Sequence, residues 1–400
     1  MDPNEVTRLA ATTEVVRAAT TVPPRPSPLS ALRTFRSRIR AFVQAELAPH
    51  LDRWREQQFP DADAWTKAGA AGMLLSDVPV EYGGGGGTFA HEAVVVEELT
   101  RVGLPFASFI HDSVAHYILT YGSEAQKRGW LPRMARGELV GAIAMSERGA
   151  GSDLQGITTT ARREGDSYVI NGAKTFITNG WHAGLVCLAV KTDVKAAGPK
   201  AISLIIVETK DLPGYHVGHP LDKIGMQAQD TCELFFNDVR VPVTNLLGPA
   251  EGRGAFQIME MMSYERLAIG VAAVATAERA VSITTKYAKE RSAFGKPLID
   301  FQNTRFTLAE CATHAHIARV FLDKCVERFI AGQLDPFTTA MAKYWLTDCE
   351  CRIVDECLQL HGGYGYLAEY PIARMWTDSR VHRLYAGSNE VLKEMIASSL

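Results

Sequence analysis

The 400-residue chain carries no large excess of charge of either sign: 42 Lys and Arg against 45 Asp and Glu leave a net charge of -3. That excludes nucleic-acid binding driven by net positive charge, and equally an acidic solvating tail. Long apolar runs are missing as well. The richest, Leu267 to Ala277, is 11 residues long and stops at Glu278, short of the roughly 18 residues a membrane span needs. Cysteine is sparse, and seven, an odd number, do not make a disulfide framework. No apolar stretch near the start has the form of a secretory signal. These absences predict a soluble, cytoplasmic protein of a reducing compartment, with no membrane span and no nucleic-acid partner. Its 46% hydrophobic content is that of an ordinary globular chain.

Several catalytic signatures are absent too. Ala150 and Ala386 stand two residues before Ser152 and Ser388, so no Gly-x-Ser-x-Gly elbow exists. His91-Glu92 has no second His to complete a zinc-binding helix. The pairs Cys349-x-Cys351 and His314-x-His316 fall in helical stretches, where side chains two apart diverge and make a poor chelate, so no metal site is expected. Without a P-loop or a strict Gly-x-Gly-x-x-Gly after a strand, a Rossmann-type nicotinamide enzyme is disfavoured.

What is present divides into an arm and three regions. Residues 1–30 end in Val22-Pro23-Pro24-Arg25-Pro26-Ser27-Pro28; successive prolines favour extended, solvated backbone, and a mobile Pro-rich arm is expected. A transit peptide is the rival reading, against which Asp2, Glu5 and Glu14 count. Residues 31–138 read as an N-terminal α-helical domain: Leu32, Phe35, Ile39, Phe42, Val43 and Leu47 recur every three or four residues, and Pro49 is expected to break that helix. Gly83 to Gly87 reads as a flexible loop. From 139 to 252 the period falls to two, predicting a β-barrel or sandwich, with Asn171-Gly172 as a hairpin turn between two strands. From 253 to 400 four long helices are expected to form a bundle. The fold class is α+β multidomain, in the order α, β, α.

Three features could carry chemistry. Gly149-Ala150-Gly151-Ser152-Asp153 and His361-Gly362-Gly363-Tyr364-Gly365-Tyr366 are glycine-rich backbone that a ligand can approach closely. Glycine at turns is also commonplace. The third is Glu265, between Tyr264 and Arg266 at the start of the most apolar helix. On the residues alone it reads equally as a solvated glutamate paired with its neighbouring arginine.

In this order and on this architecture the motifs resemble the acyl-CoA dehydrogenase family. Ala142-Ile143-Ala144-Met145-Ser146-Glu147-Arg148-Gly149-Ala150-Gly151-Ser152-Asp153 is similar to its first signature. Arg291-Ser292-Ala293-Phe294-Gly295-Lys296 with Gln302 is similar to the second, and Gln359 to Tyr366 with Glu369-Tyr370-Pro371 to the third. The likeness covers about residues 31–400, and Leu154-Gln155-Gly156 with the Tyr385 to Ala397 ending resembles the long-chain branch most. It implies FAD between the β domain and the C-terminal bundle of a homotetramer, with electron-transfer flavoprotein as acceptor. The implied cofactor residues are Ile143, Met145, Ser146, Gly151 and Ser152, then Phe176, Ile177 and Thr178, then Gln359, Leu360, His361, Gly362 and Gly363, and finally Ser388, Asn389 and Glu390. Arg291, Ser292, Ala293, Phe294 and Gln302 would reach the FAD of a neighbouring subunit. Taken alone, Arg291 is equally a helix-terminal arginine.

One departure is informative. Many members carry their catalytic glutamate where this chain has Ala386, but a branch including the isovaleryl and long-chain types places it on the earlier helix. Glu265, 121 residues before Ala386, holds that alternative position. The resemblance therefore implies α,β-dehydrogenation of an acyl-CoA thioester to the trans-2-enoyl thioester, with Glu265 as base and the Ala386 backbone N–H on the thioester oxygen. Ser152, Ser263, Tyr264, Arg266 and Gly387 match positions near the substrate. Three other readings stay open: an acyl-carrier-protein thioester as substrate, a flavin oxidase or monooxygenase on the same fold, and a catalytically silent thioester-binding protein.

Overall fold

The computed structural model describes residues 32–196 and 198–400; the arm expected at 1–30 lies outside the described residues. The N-terminal region is helical, as its periodicity predicts. In α1 (Arg33–Phe42) and the π turn after it (Val43–Leu47), Ile39, Val43 and Leu47 are fully buried. Pro49 does not end the helical path. It sits in the first turn of a short 3-10 segment (Ala48–His50), where its missing N–H leaves no bond unmade, and α2 (Leu51–Gln57) follows directly. Four more helices complete the region: α3 (Ala62–Ala70), α4 (Phe89–Val102), α5 (Ser108–Tyr121) and α6 (Glu124–Ala135). The Gly83–Gly87 segment is a packed turn, contrary to the flexible loop expected. Its amides bond to Pro79, Leu75, Val78 and Ser76 carbonyls, and a Cβ at Gly84 would lie 2.2 Å from the Val78 carbonyl oxygen. Glycine is there for close approach.

The middle region is a curled seven-stranded sheet in the order β1-β4-β2-β3-β7-β6, with β5 also paired to β4. The strands are β1 (Val140–Ala144), β2 (Thr160–Glu164), β3 (Ser167–Thr178), β4 (Ala183–Lys191), β5 (Ile202–Glu208), β6 (Tyr215–Val217) and β7 (Thr231–Pro242). One edge of β4 is shared end to end: β1 runs parallel to its first half, and β2 meets it only at Thr160 opposite Lys191. Asn171-Gly172 is not a turn. It lies inside β3, where a bulge adjusts the pairing with β7. The Asn171 side chain bonds to Asp238, and a Cβ at Gly172 would meet Thr159 Oγ1 at 2.4 Å. The hairpin turn is Gly165-Asp166, with Glu164 paired to Ser167. Local turn preference was outweighed by pairing with a strand some sixty residues on.

Three long helices follow: α7 (Gly254–Glu290), α8 (Gln302–Ile330) and α9 (Pro336–His361), of 37, 29 and 26 residues. The remaining helices are short, α10 (Pro371–Ser379) and α11 (Asn389–Ala397), nine residues each, and both pack on α9. Length and apolarity alone would let α7 cross a membrane, but two thirds of its most apolar stretch is buried within the protein. Small residues on it, including Ala268, Gly270, Ala273 and Ala277, admit neighbouring helices closely. All seven cysteines are free.

Candidate active site

The three regions meet around a cleft of about 750 Å³. Its β wall carries Ser146, Phe176 and Thr178, its α7 wall Ala268, Ile269, Ala272 and Thr276, and its N-terminal wall Leu99, Phe106 and Phe109; Leu384 and Tyr385 close the far side. Phe176 stands at a second bulge of β3 with φ 61°, a conformation rare for a bulky residue. There the main chain turns out of the ladder and leaves the aromatic ring 69% exposed at the cleft. Backbone strain held at such a place is characteristic of a ligand contact.

The loop ahead of this wall is held from below. Lys174 is fully buried, and its Nζ donates to Glu147 Oε1 and to the Met145 carbonyl, each at 2.9 Å. Glu147 also accepts from Thr158 N and Oγ1 and from Thr159 N. Burial raises its pKa, but these donors and the Lys174 charge outweigh it and hold the carboxyl at about 2. Burial brings the Lys174 ammonium down to about 8. The Thr175 amide donates to Ser146 O, so β3 fixes the loop at both residues.

Glu265 lies on α7 one turn before Ala268 and Ile269, 7% exposed. Tyr117 Oη, from α5, donates to its Oε1 at 3.3 Å. Burial pushes the Glu265 carboxyl up to about 7, against the Tyr117 bond and the Arg266 charge. The next residue joins the two ends of the bundle: Arg266 Nε donates to the Ala386 carbonyl at 3.0 Å. Ala386 and Gly387 both have positive φ, 52° and 84°. Lys343 Nζ donates to Gly387 O at 2.8 Å and Asn389 Oδ1 at 3.0 Å. Burial and the nearby Arg266 lower the Lys343 ammonium to about 7. This kinked turn leaves the Ala386 N–H with no acceptor among the described residues, so a free backbone amide and a buried carboxylate stand on adjoining segments.

The remaining expected residues separate into groups. Gly151 and Ser152 are exposed, and Ile143, Met145 and Ser263 are partly buried. Arg291, Gln359, Leu360, His361, Gly362 and Gly363 line a second hollow of about 510 Å³ that shares no residue with the main cleft. There Arg291 lies over the Tyr364 ring and Tyr287 stacks on His361. Beyond it, Ser292 and Ala293 pair with Pro297 and Lys296 across the two-residue turn Phe294-Gly295, Phe294 is 96% exposed, and Gln302 begins α8. Ser388 caps α11 and Glu390 is exposed in its first turn.

Four side chains have a different place from the one expected. Tyr264 is 3% exposed and packs on His116, Phe89 and Phe329 rather than on a substrate cleft. Asn389 is fully buried and its side-chain amide bonds to Lys343, Tyr344, Thr347 and Asp348, so that side chain is committed to the fold. The Ile177 side chain lies in the sheet core, on the face opposite Phe176, because neighbours alternate along a strand. Arg266, expected near substrate, has its Nε on the Ala386 carbonyl. Sequence reasoning missed Tyr117, Lys174 and Lys343. Only Lys174 left a local sign, a lone cation between Ala173 and Thr175 in an alternating strand.

Family models for the acyl-CoA dehydrogenase N-terminal, middle and C-terminal domains match residues 30–138, 142–239 and 252–400. The chain belongs to the acyl-CoA dehydrogenase family. It is 41% identical over 369 residues to the mitochondrial long-chain specific acyl-CoA dehydrogenase of Sus scrofa, covering 92% of this chain and 85% of that one. An acyl-CoA dehydrogenase structure from Geobacillus kaustophilus superposes with TM-score 0.89 at 45% identity, over 92% of this chain and 97% of that one. A Bacillus anthracis acyl-CoA dehydrogenase complexed with FAD gives 0.87 at 31% identity, over 92% and 66%. The family chemistry is FAD-dependent dehydrogenation of acyl-CoA. The residues here fit that cofactor: Gly149, Gly151, Gly362 and Gly363 each have open space where a side chain would stand, and the exposed Phe176 ring offers a stacking face.

Proposed function

We propose that the chain removes the α-proton of an acyl-CoA thioester with Glu265 and stabilises the charge that develops on the thioester oxygen with the Ala386 N–H. FAD, when bound, accepts the two electrons and the β-hydrogen that no side chain can take. The observation that carries this reading is the junction at Arg266. It ties the segment bearing the buried carboxylate to the turn bearing the free amide. A backbone N–H needs no particular side chain, so alanine at 386 retains the donor while the base resides on α7. A pKa near 7 suits a general base at neutral pH, and apolar walls keep water from competing for the proton.

Glu147 and Lys174 hold the first glycine-rich loop against the cofactor position, with Ser146, Phe176 and Thr178 facing the flavin ring. Arg291, Ser292, Ala293, Phe294 and Gln302 serve the FAD of a neighbouring subunit in a homotetramer, which accords with their placement in and beyond a separate, exposed hollow. The domain divisions are at 138/139 and 252/253, the acceptor is electron-transfer flavoprotein, and the location is cytoplasmic. The test is Glu265→Gln. Flavin content and thioester binding are expected to persist while anaerobic flavin reduction falls by roughly 10³; near-normal reduction would remove Glu265 from the mechanism.

A further inference from the structure

We propose that Tyr117 is the positioning residue of the Glu265 carboxylate: its phenol holds Oε1 and leaves Oε2 to take the substrate proton. This rests on the reading of Glu265 as base. Tyr117 is fully buried on α5 and donates to Glu265 Oε1 at 3.3 Å, the one hydrogen bond to that carboxylate among the described residues. The other titratable groups around it are Cys187 on β4, Arg266 beside it on α7, and Tyr121 next to Tyr117. Burial raises the Cys187 thiol and the Tyr117 phenol, so both stay neutral through the working range. Arg266 is turned to the Ala386 carbonyl.

The choice of donor has a chemical consequence. A lysine placed on Glu265, as Lys174 is on Glu147, would hold the carboxylate ionised but make it a feeble base. A neutral phenol fixes the orientation and favours the anion only modestly, because it brings no charge. One turn on, Tyr121 Oη donates to Glu260 Oε2 at 2.5 Å, so two tyrosines on one face of α5 grip two glutamates of α7. Only Tyr117 reaches the base. Tyr121 is thus an internal control for the packing of α5 against α7.

The experiment compares Tyr117→Phe with Tyr121→Phe in FAD-loaded enzyme. In the parent, kcat/KM is expected to rise with pH through the deprotonation of Glu265 near 7. Tyr117→Phe is expected to move that rise up by about one pH unit, which by itself lowers kcat/KM about 10-fold at pH 6.5, on top of a several-fold lower plateau seen at pH 9. The carboxyl C=O infrared band that Glu265→Gln abolishes is expected to titrate with the same shift, independently of turnover. Tyr121→Phe is expected to leave both midpoints in place. An unmoved midpoint in Tyr117→Phe, or an equal displacement in Tyr121→Phe, overturns the proposal. Neither result touches the assignment of Glu265 as base, which fails only if Glu265→Gln still reduces flavin.

Discussion

Glu147 and Glu265 are both 7% exposed, yet one carboxyl is held at about 2 and the other at about 7. Equal surface exposure conceals a difference in depth: Glu265 lies deeper in the protein than Glu147 and is desolvated more. The partners widen the gap. Glu147 accepts from two backbone amides, a hydroxyl and an ammonium. Glu265 has one phenol. Burial sets the cost of ionising a carboxyl, and the number and charge of its donors decide whether that cost is met. The first arrangement suits a strut, the second the base proposed above.

The largest test of that contrast is Glu265→Gln, which is expected to lose roughly 10³ in flavin reduction and yet gain stability in alkaline solution. The sign follows from linkage. With its folded pKa raised from 4.5 to about 7, Glu265 holds a proton that the unfolded chain has already released, so stability falls as pH rises across that interval. Glutamine lacks this slope. Above pH 7 the variant is expected to be more stable than the parent by up to about 3 kcal/mol, read from denaturant unfolding at pH 5 and pH 8.

Lys174→Met breaks the other side of the comparison. A buried carboxylate left without its cation costs about 3 kcal/mol or more, visible as a lower Tm. Because the folded pKa of Glu147 is depressed, its stabilisation is present above about 4.5 and is lost as pH falls towards 2. In the methionine variant acid unfolding is expected to begin at higher pH. A smaller effect is expected from Lys343→Met, which frees the Gly387 carbonyl and Asn389. Flavin reduction should fall by about 10-fold, the equivalent of one lost polar contact, while the acid limb of the pH profile stays in place. A shift of that limb would mean that Lys343 acts on Glu265 rather than on the Ala386 turn.

The legible parts of the chain were those decided over short distances. Periodicity marked α1 and the change to strands in the middle region, because one buried face repeats every few residues. Asn171-Gly172 misled because its turn preference is local, while its actual neighbours, Asp238 on β7 and Thr159 just before β2, come from other segments. The run of five glycines misled for a related reason, since flexibility of the free chain says nothing about a backbone pressed against Val78 and Ser76. Glu265 was legible through resemblance and through the missing carboxylate at 386; its burial was not.

By itself the sequence determined the α, β, α order, the family motifs and the presence of Glu265 together with Ala386, all carried by residue identity and spacing. Tertiary structure alone decided which buried carboxyl is held ionised at about 2 and which is raised to about 7. Tyr117 lies 148 residues from Glu265, Lys174 27 from Glu147 and Lys343 44 from Gly387. A pKa in the interior depends on donors and desolvation that exist only once such distant segments are folded together.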